Sequence, residues 1–483
     1  MKFIKPTLLC ILTFIAISCS RTEFAPDNIQ VQSFVWRGLN AYYLSQNQIP
    51  DLSDRRFNND QQLYNYLSGF NDPNALFQSL LIGTDTKSLL QADYNTLTTP
   101  QVRTGNTNGV EFGIIADPSS ADNVVGYITH ILPNSDASGK NLVRGEFFYA
   151  VDNTQLTRGN FESLLVNGSN NFTLNMANFN GTSVTPNGKS VALVKSNYNY
   201  TATFKDNVIN SGLDVIGYLM YNNDFSSNYL SGLNQTFANL QSQSVNKLIL
   251  DLRYQVGSGA IVKNLEKIAS MITNQPTTEV LVKEKWNSKA QPWFESNQPD
   301  SLLTKFSDKL NATTNLNRLA ITDLYIILNG QNFTGSSATE LLINSLRPHI
   351  NVHILGRTTS GNNTGSITLY DSEDYNLNTT INRNHTFALQ PIVLNFLNKN
   401  DETYENGFNP TLTLCTNEDP LNLGVLGENS DPIIARILNF ISSGVTGNPP
   451  SCNPMSFEHL YNSIDLQRER DTGVFIEQVL PKN

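Results

Sequence analysis

Alternation of apolar strands with amphipathic helices in the second half of the chain restricts the fold more than any other feature. Residues 217–221 and 247–252 are short apolar runs typical of strands, and residues 230–240 between them have helical spacing. Further apolar runs continue the pattern at 324–328, 352–355 and 392–394. Because strands that alternate with helices pair in parallel, we expect an α/β core.

Two other patterns precede this core. Apolar and aromatic residues recur at near-helical spacing in 29–44 and 63–70, which predicts a small helical domain with Asp27-Asn28 as its N-cap candidates. After a polar stretch, short strands follow at 110–115, 124–131 and 147–151. The 483 residues therefore divide into a leader at 1–19, a helical domain at 20–105, a β-rich domain at 106–190, the α/β core at 191–445 and a tail at 446–483.

Composition excludes several classes of partner and cofactor. The formal net charge is −10, and no cluster of Lys and Arg forms a basic stripe, so we expect no nucleic-acid binding. No histidine, cysteine or carboxylate group has metal-ligand spacing. The loop Gly257-Ser-Gly259 lacks the remaining glycine or Gly-Lys ending of a nucleotide site. We therefore predict neither a metal nor a cofactor.

The N-terminus has the form of a signal peptide. Lys2 and Lys5 precede an apolar run at 7–17, which is too short for a comfortable membrane span and ends at Ser18-Cys19. A small residue followed by cysteine resembles a bacterial lipobox, which implies that Cys19 becomes the lipidated N-terminus of an envelope protein, periplasmic or surface-facing. Ordinary secretion with cleavage near Ser18 is the alternative.

Two cysteines remain beyond the leader and Cys19. Cys415 and Cys452 are candidates for a disulfide, since the leader implies an oxidising compartment. Two unpaired buried cysteines are the alternative, because sequence does not establish that their Cα atoms lie within bridging range.

Ser337-Ala-Thr-Glu340 precedes an apolar helical run at 341–346 and has two interpretations. Taken alone it is a capping box, in which Ser337 bonds the N3 amide and Glu340 reaches back to the cap. Taken with the strand at 352–355 and the sequence Gly361-Asn362 that follows, it is a serine-nucleophile motif. Ser337 and Asn362 are 25 residues apart.

These motifs and their spacing resemble the carboxyl-terminal processing, or tail-specific, serine peptidases, in which a Ser-Ala-Ser-Glu serine is activated by the lysine of Gly-Lys. The resemblance covers residues 29–441 and implies a crotonase-like core, with Ser337 at the nucleophile position and Asn362 at the lysine position. A serine hydroxyl needs a neighbouring group to take its proton, and a carboxamide cannot do so. The general base of the family is therefore missing.

A second departure lies in the loop after the strand at 247–252. Arg253-Tyr-Gln-Val256-Gly257-Ser258 resembles a family loop in which a glycine N–H helps to form the oxyanion hole, and Gly257 is the glycine retained at that loop. Val256 and Ser258 replace glycines. Because a β-branched valine resists positive φ, we expect a weakened oxyanion hole.

The β-rich domain resembles the PDZ domain that these peptidases carry. The resemblance rests on Gly109-Val-Glu-Phe-Gly-Ile114, Pro133-Asn-Ser135, Leu142-Val-Arg-Gly-Glu146 and Val151-Asp-Asn153. It implies that Phe112, Gly113 and Ile114 form a nest for the terminal carboxylate of a peptide added at the sheet edge. A structural β-domain with no ligand is the alternative.

Three functions are compatible with these features. The leading hypothesis is a lipid-anchored envelope homologue of the processing peptidases that has lost efficient catalysis and binds protein or peptide C-terminal tails. The second is an active serine endopeptidase with an unconventional base, for which His353 is the best spare histidine. The third is a structural lipoprotein that scaffolds an envelope assembly.

Overall fold

The computed structural model describes residues 25–97, 102–257, 260–328, 334–377, 380–414, 418–447, 457–468, 473–477 and 480. The first part is helical: α1 Gln30–Tyr42, α2 Asp60–Leu67 and α3 Pro73–Ser79, followed by β1 Leu89–Gln91. Helix α1 confirms the prediction for 29–44. The predicted cap is wrong, because Asp27 and Asn28 lie in a separate 3₁₀ turn and Ile29 precedes the helix without a side-chain bond.

The β-rich unit follows, with elements β2 Thr104–Thr107, β3 Val110–Ala116, β4 Val124–Ile131, β5 Phe147–Val151, β6 Thr154–Gln155, β7 Asn171–Phe179, β8 Val184–Val194 and β9 Ser196–Asn199. Strands β3, β4, β5, β7 and β8 form an antiparallel sheet in that order. Its own apolar cluster includes Ile114, Phe148 and Leu174. The three strands predicted here are confirmed.

The remaining elements are β10 Lys205–Ser211, β11 Asp214–Met220, α4 Ser227–Ser242, β12 Lys247–Asp251, β13 Ala260–Ile261, α5 Val262–Ile272, β14 Val280–Trp286, α6 Ala290–Asn297, β15 Leu303–Lys305, β16 Asp323–Ile327, α7 Ser337–Leu346, β17 Asn351–Gly356, β18 Thr364–Ser366, β19 Leu369–Tyr370, β20 Ala388–Gln390, β21 Ile392–Leu397, β22 Leu412–Thr413, α8 Pro432–Ser443, β23 His459–Asn462, α9 Ser463–Gln467 and β24 Val474–Phe475. The central sheet has the order β10-β11-β12-β16-β17-β22. All its pairs are parallel except β10 with β11, which confirms the α/β core.

A second six-stranded sheet has the order β13-β24-β18-β21-β14-β15. It contains β21, so the prediction that 392–394 continues the parallel sheet is wrong. An apolar run indicates that a strand is buried on both faces, but it does not indicate which strands pair with it. Here β21 pairs antiparallel with β14 and β18.

The C-terminal residues add strands to two sheets, the β-rich sheet and the second core sheet. Strand β23 pairs with β3 at the edge of the β-rich sheet, and β24 lies between β13 and β18 in the second core sheet. The predicted tail at 446–483 thus contributes two strands to the folded unit. Among the helices that the structure describes, none is long and apolar enough to span a membrane.

A buried ionic cluster joins these parts. Arg253, 1% exposed, lies within 2.9 Å of carboxylates from Asp251 at the end of β12 and from Glu418, and 2.8 Å from Asp431, which caps α8. Arg144 of the β-rich unit shares Glu418 at 2.5 Å. Burial alone would raise the pKa of Glu418, but the two guanidinium groups lower it to about 2.

We predict that Arg253→Leu lowers the free energy of unfolding by about 3–5 kcal/mol, because the buried carboxylates of Asp251 and Asp431 lose their counter-charge. Urea denaturation measures the change. Arg56→Leu removes an arginine from an exposed ion pair with Asp51 and should cost less than about 1 kcal/mol. Equal costs for the two variants would contradict the role given to burial.

Candidate active site

Ser337 is the first residue of α7 and is buried. The preceding residue, Ser336, caps the helix: its Oγ accepts a hydrogen bond from the Thr339 N–H at 3.2 Å. The capping-box interpretation of Ser337 is therefore wrong, because Ser336 takes the cap position and Ser337 is already the first residue of the helix. The Ser337 hydroxyl is left pointing to a different partner.

That partner is Asn362, whose side-chain amide Nδ2 donates to Ser337 Oγ. The amide is oriented from its other end, since Thr364 Oγ1 donates to Asn362 Oδ1 at 2.9 Å. The fold thus brings together the two residues that the sequence places at the nucleophile and lysine positions. Their catalytic roles stay predictions.

Glu340 holds the loop that carries Asn362. Its two carboxylate oxygens accept hydrogen bonds from the backbone N–H groups of Gly361 and Asn362, at 2.6 and 2.9 Å. Gly361 has φ +83°, and a Cβ there would lie 2.2 Å from the Glu405 carbonyl oxygen. Gly361 and Glu340 therefore position residue 362 beside Ser337.

The loop after β12 packs against the start of α7. Thr339 Oγ1 donates to Gln255 Oε1 at 3.3 Å, and the Gln255 amide donates to the Asn223 carbonyl at 3.0 Å. The Val256 N–H donates to the Asn222 carbonyl at 3.1 Å. This N–H is occupied within the fold, so Val256 does not present it to a substrate oxyanion.

Gly257 lies where a side chain would not fit, because a Cβ there would be 2.2 Å from Asp224 Cβ. Its predicted oxyanion role stays a prediction, and Ser258 is outside the described residues. The next elements after this loop are the short strand β13 and then α5, which begins at Val262.

His353, the spare histidine, lies on the other face of the central sheet. It stacks on Tyr325 at 4.8 Å, contacts Phe440 at 5.2 Å, and has Nε2 3.5 Å from Asp323. Its neighbours belong to the apolar cluster under α8, whereas the residues of α7 pack in the main core. This placement favours a structural histidine.

A cleft of about 840 Å³ opens at Asn362. Its walls come from the N-terminal helical part and the core, and they include Tyr43, Asp85, Lys87 and Glu405. Lys87 is the functional candidate that sequence reasoning missed. It lies far from the serine motif in sequence, and no local pattern marks it.

Phe112, Gly113 and Ile114 occupy the middle of β3 and do not form the predicted nest. Their backbone is extended, with β4 on one side and β23 on the other. A nest needs successive N–H groups converging on one point, which a strand paired on both sides does not provide. Binding of a peptide at this edge stays a prediction.

Several predicted sites lie outside the described residues: the lipidation residue Cys19 and the disulfide candidates Cys415 and Cys452. Within the described ranges, no group of three or more His, Cys, Asp or Glu side chains could hold a metal ion.

One known protein family matches part of the chain. The model of Peptidase family S41 matches residues 215–393, which include both Ser337 and Asn362. Residues 215–393 thus match a peptidase S41 core, which lies in a mixed α/β fold with a β-rich region.

Solved structures are also similar to the chain. One, described as a candidate S41 protease from Bacteroides fragilis NCTC 9343, is 18% identical, with 88% of this chain and 99% of that chain covered at a TM-score of 0.64. The photosystem II D1 C-terminal processing protease is 15% identical over 84% of this chain and 99% of its own, at a TM-score of 0.42. The first likeness establishes a shared fold. No curated protein matches the chain.

We predict that Glu340→Gln lowers the free energy of unfolding by about 1.5–3 kcal/mol, since an amide oxygen replaces a carboxylate that accepts two backbone bonds. Hydrogen exchange at the Asn362 amide should accelerate in parallel. Glu405→Gln, an exposed carboxylate at the same cleft, is the matched control and should stay within about 0.5 kcal/mol. Unchanged exchange at Asn362 in the Glu340 variant would refute the assignment.

Proposed function

We propose that this protein is a catalytically impaired homologue of the carboxyl-terminal processing peptidases that binds segments of protein chains. The hydrogen bond from the Asn362 amide to Ser337 Oγ carries the proposal. It supports the view that residue 362 occupies the place of the family's lysine while lacking its chemistry.

The chemical consequence follows from the groups involved. A neutral lysine amine has a lone pair that accepts the serine proton, whereas an amide nitrogen has none available. The bond from Asn362 instead uses an acceptor lone pair of the serine oxygen, which lowers its nucleophilicity. Loss of one member of such a unit leaves about 10³ to 10⁴-fold catalysis over water, supplied by binding and the oxyanion hole.

An active endopeptidase is the second candidate, and Lys87 is the observation that favours it. This residue lines the cleft that contains Asn362, so it offers an amine near the candidate site from another element of the fold. A lysine amine is the general base that the family resemblance implies, so this lysine is the alternative base to test.

We predict negligible hydrolysis of unfolded casein by the native protein and an increase of about 10²-fold for Asn362→Lys, the lower range for general-base catalysis. The rescue should be partial, because the Val256 N–H stays bonded to Asn222. Peptide release and fluorophosphonate labelling of Ser337 measure the effect. Asn362→Met, which is similar in length to lysine but has no base, should show no gain.

Robust cleavage by the native protein that disappears in Ser337→Ala would sink the impaired-enzyme proposal. Loss of the same activity in Lys87→Met, with retention in His353→Gln, would then establish the second candidate. The Ser337→Ala protein also provides a binding test, since retention of unfolded casein without cleavage separates a binding protein from a scaffold.

The β-rich unit is the proposed site of peptide binding. Its antiparallel strands, its separate apolar cluster and its position beside the S41 domain support a PDZ-like role. Sheets of this kind accept a peptide as an added edge strand, with backbone hydrogen bonds for affinity and side-chain pockets for selectivity. Protein or peptide C-terminal tails are the ligands that the family resemblance implies.

The proposed location is the bacterial cell envelope, with a lipid anchor at Cys19. We predict that mass spectrometry of the native protein finds an acylated cysteine at position 19 as the mature N-terminus, and that Cys19→Ala moves the protein from membrane to soluble fractions. Cys10→Ala, a change within the leader, is the control and should leave the protein in the membrane. An unmodified N-terminus would refute the anchor.

A further inference from the structure

The C-terminal segment 457–468 covers the one sheet edge that the proposed peptide-binding role requires. Strand β23 pairs antiparallel with β3, with Tyr461 opposite Ile114 and Asn462 opposite Gly113. The Ala116 N–H donates to the Glu458 carbonyl at 2.9 Å. An edge strand is a template for added strands, and here the chain itself supplies the added strand.

Side chains reinforce this pairing. The Tyr461 ring stacks on Phe112, with centroids 5.5 Å apart and an interplanar angle of 27°, and it meets the edge of Phe161 at 5.6 Å. Aromatic pairs of this geometry stabilise a contact beyond the burial of their area. The Tyr461 ring thus anchors the segment in the groove between β3 and Phe161.

Glu111 defines the polar part of the groove. Its side chain is buried, and it accepts hydrogen bonds from Ser463 Oγ at 2.5 Å and from the Gln467 amide at 3.0 and 2.9 Å. Ser463 Oγ in turn accepts the Phe112 N–H at 2.9 Å. A buried carboxylate needs such donors, so a ligand at this position must supply a hydroxyl, amide or cationic group.

The same carboxylate disfavours a chain terminus. A peptide that ended at the position of Ser463 would place its terminal carboxylate beside Glu111, where two like charges meet in a buried site. An amide-linked residue with a donor side chain avoids that repulsion. The groove chemistry therefore favours the interior of a chain over its carboxyl end.

We propose that segment 457–468 is a displaceable internal ligand, and that the site it covers takes an internal segment of another protein, with an aromatic residue and, two positions later, a hydrogen-bond donor. The segment itself shows the pattern in Tyr461 and Ser463. This inference rests on the proposed peptide-binding function and changes its ligand class from C-terminal tails to internal segments.

A cavity beside the segment gives an incoming chain an advantage. It measures about 390 Å³ and is lined by apolar side chains, including Phe148, Phe172 and Leu193, with Arg103 and Lys195 among its polar residues. The segment leaves this volume open. A ligand that inserts an apolar side chain there gains burial that the internal ligand lacks, which favours exchange.

Displacement would also reach the candidate active site. Arg468, at the end of the segment, donates to the carbonyl oxygens of Gln255 and Arg253, both at 3.1 Å. These carbonyls belong to the loop whose Gln255 side chain bonds Thr339 beside Ser337. The segment therefore couples occupancy of the groove to the backbone of the loop at residues 253–257.

The test uses a fluorescent, acetylated and amidated peptide that copies residues 457–467, titrated by fluorescence anisotropy. The full-length double variant Tyr461→Ala/Ser463→Ala weakens the internal ligand and leaves Phe112 and Glu111 intact. We expect it to bind the peptide at least about tenfold more tightly than the native protein. Peptides with Tyr or Ser changed to alanine at the positions of Tyr461 and Ser463 should bind at least about fivefold more weakly.

A matched pair of shorter peptides, copies of 457–463 ending in an amide or in a free acid, tests the ligand class. The amide should bind more tightly by about tenfold. Equal or tighter binding of the acid would overturn the internal-segment proposal and leave tail binding standing. Equal affinity of native and double-variant proteins would overturn the internal-ligand proposal alone, whereas no binding to either would reject this edge as the peptide site.

Hydrogen exchange on the native protein supplies a test independent of the variant's folding. Excess 457–467 peptide should accelerate exchange of amides in segment 457–468 and in residues 252–257, with no change in α4. Protection of the segment that is unaffected by saturating peptide would show that the segment is a fixed part of the sheet.

Discussion

Charge compensation around Arg253 is the constraint on which much of the arrangement depends. A guanidinium group that is almost fully removed from water requires fixed carboxylates. Asp251 lies at the end of β12, Glu418 lies outside the helices and strands, and Asp431 caps α8. Arg144 adds the β-rich unit to the same cluster through Glu418. Because none of these charges is stable alone in the interior, the elements that carry them are held in one relative position. The loop that begins at Arg253 is therefore fixed relative to these elements as well.

The candidate active site is held together by a short series of hydrogen bonds. Glu340 accepts the two backbone N–H groups of the loop at Gly361, Ser336 caps α7, and Asn362 donates to Ser337. In the proposed function, residue 362 differs from the family's lysine only in the functional group that it brings to Ser337. Stability depends on the framework, whereas proton transfer depends on the side chain at 362, so the proposal requires no change in the packing around the site.

The C-terminal segment 457–468 contacts both the β-rich sheet and the loop near the candidate active site. One short stretch pairs with the β3 edge, supplies the donors for Glu111 and bonds the loop carbonyls through Arg468. A ligand and the segment cannot occupy the edge together, so binding and release of the loop are thermodynamically linked in the proposed scheme. This linkage requires only that the loop is contacted differently when the segment is bound at the edge and when it is displaced. The hydrogen bonds of Arg468 to the loop carbonyls exist only in the bound state.

Local sequence determined the elements of this protein. Apolar periodicity predicted α1, the strands of the β-rich unit and the parallel core. The resemblance of the motifs at Ser337 and Gly361 to those of a peptidase family implied that residues 337 and 362 belong to one site, and the two side chains are hydrogen-bonded. Tertiary structure decided which residues and strands contact one another. No local pattern predicts whether Ser336 or Ser337 caps α7. Nor does one predict which sheet contains β21 or what lines the cleft beside Lys87. The bond from Phe112 to Ser463 joins residues 351 positions apart. Periodicity reflects burial within one element, whereas the choice of partner depends on the free energy of the whole packed chain.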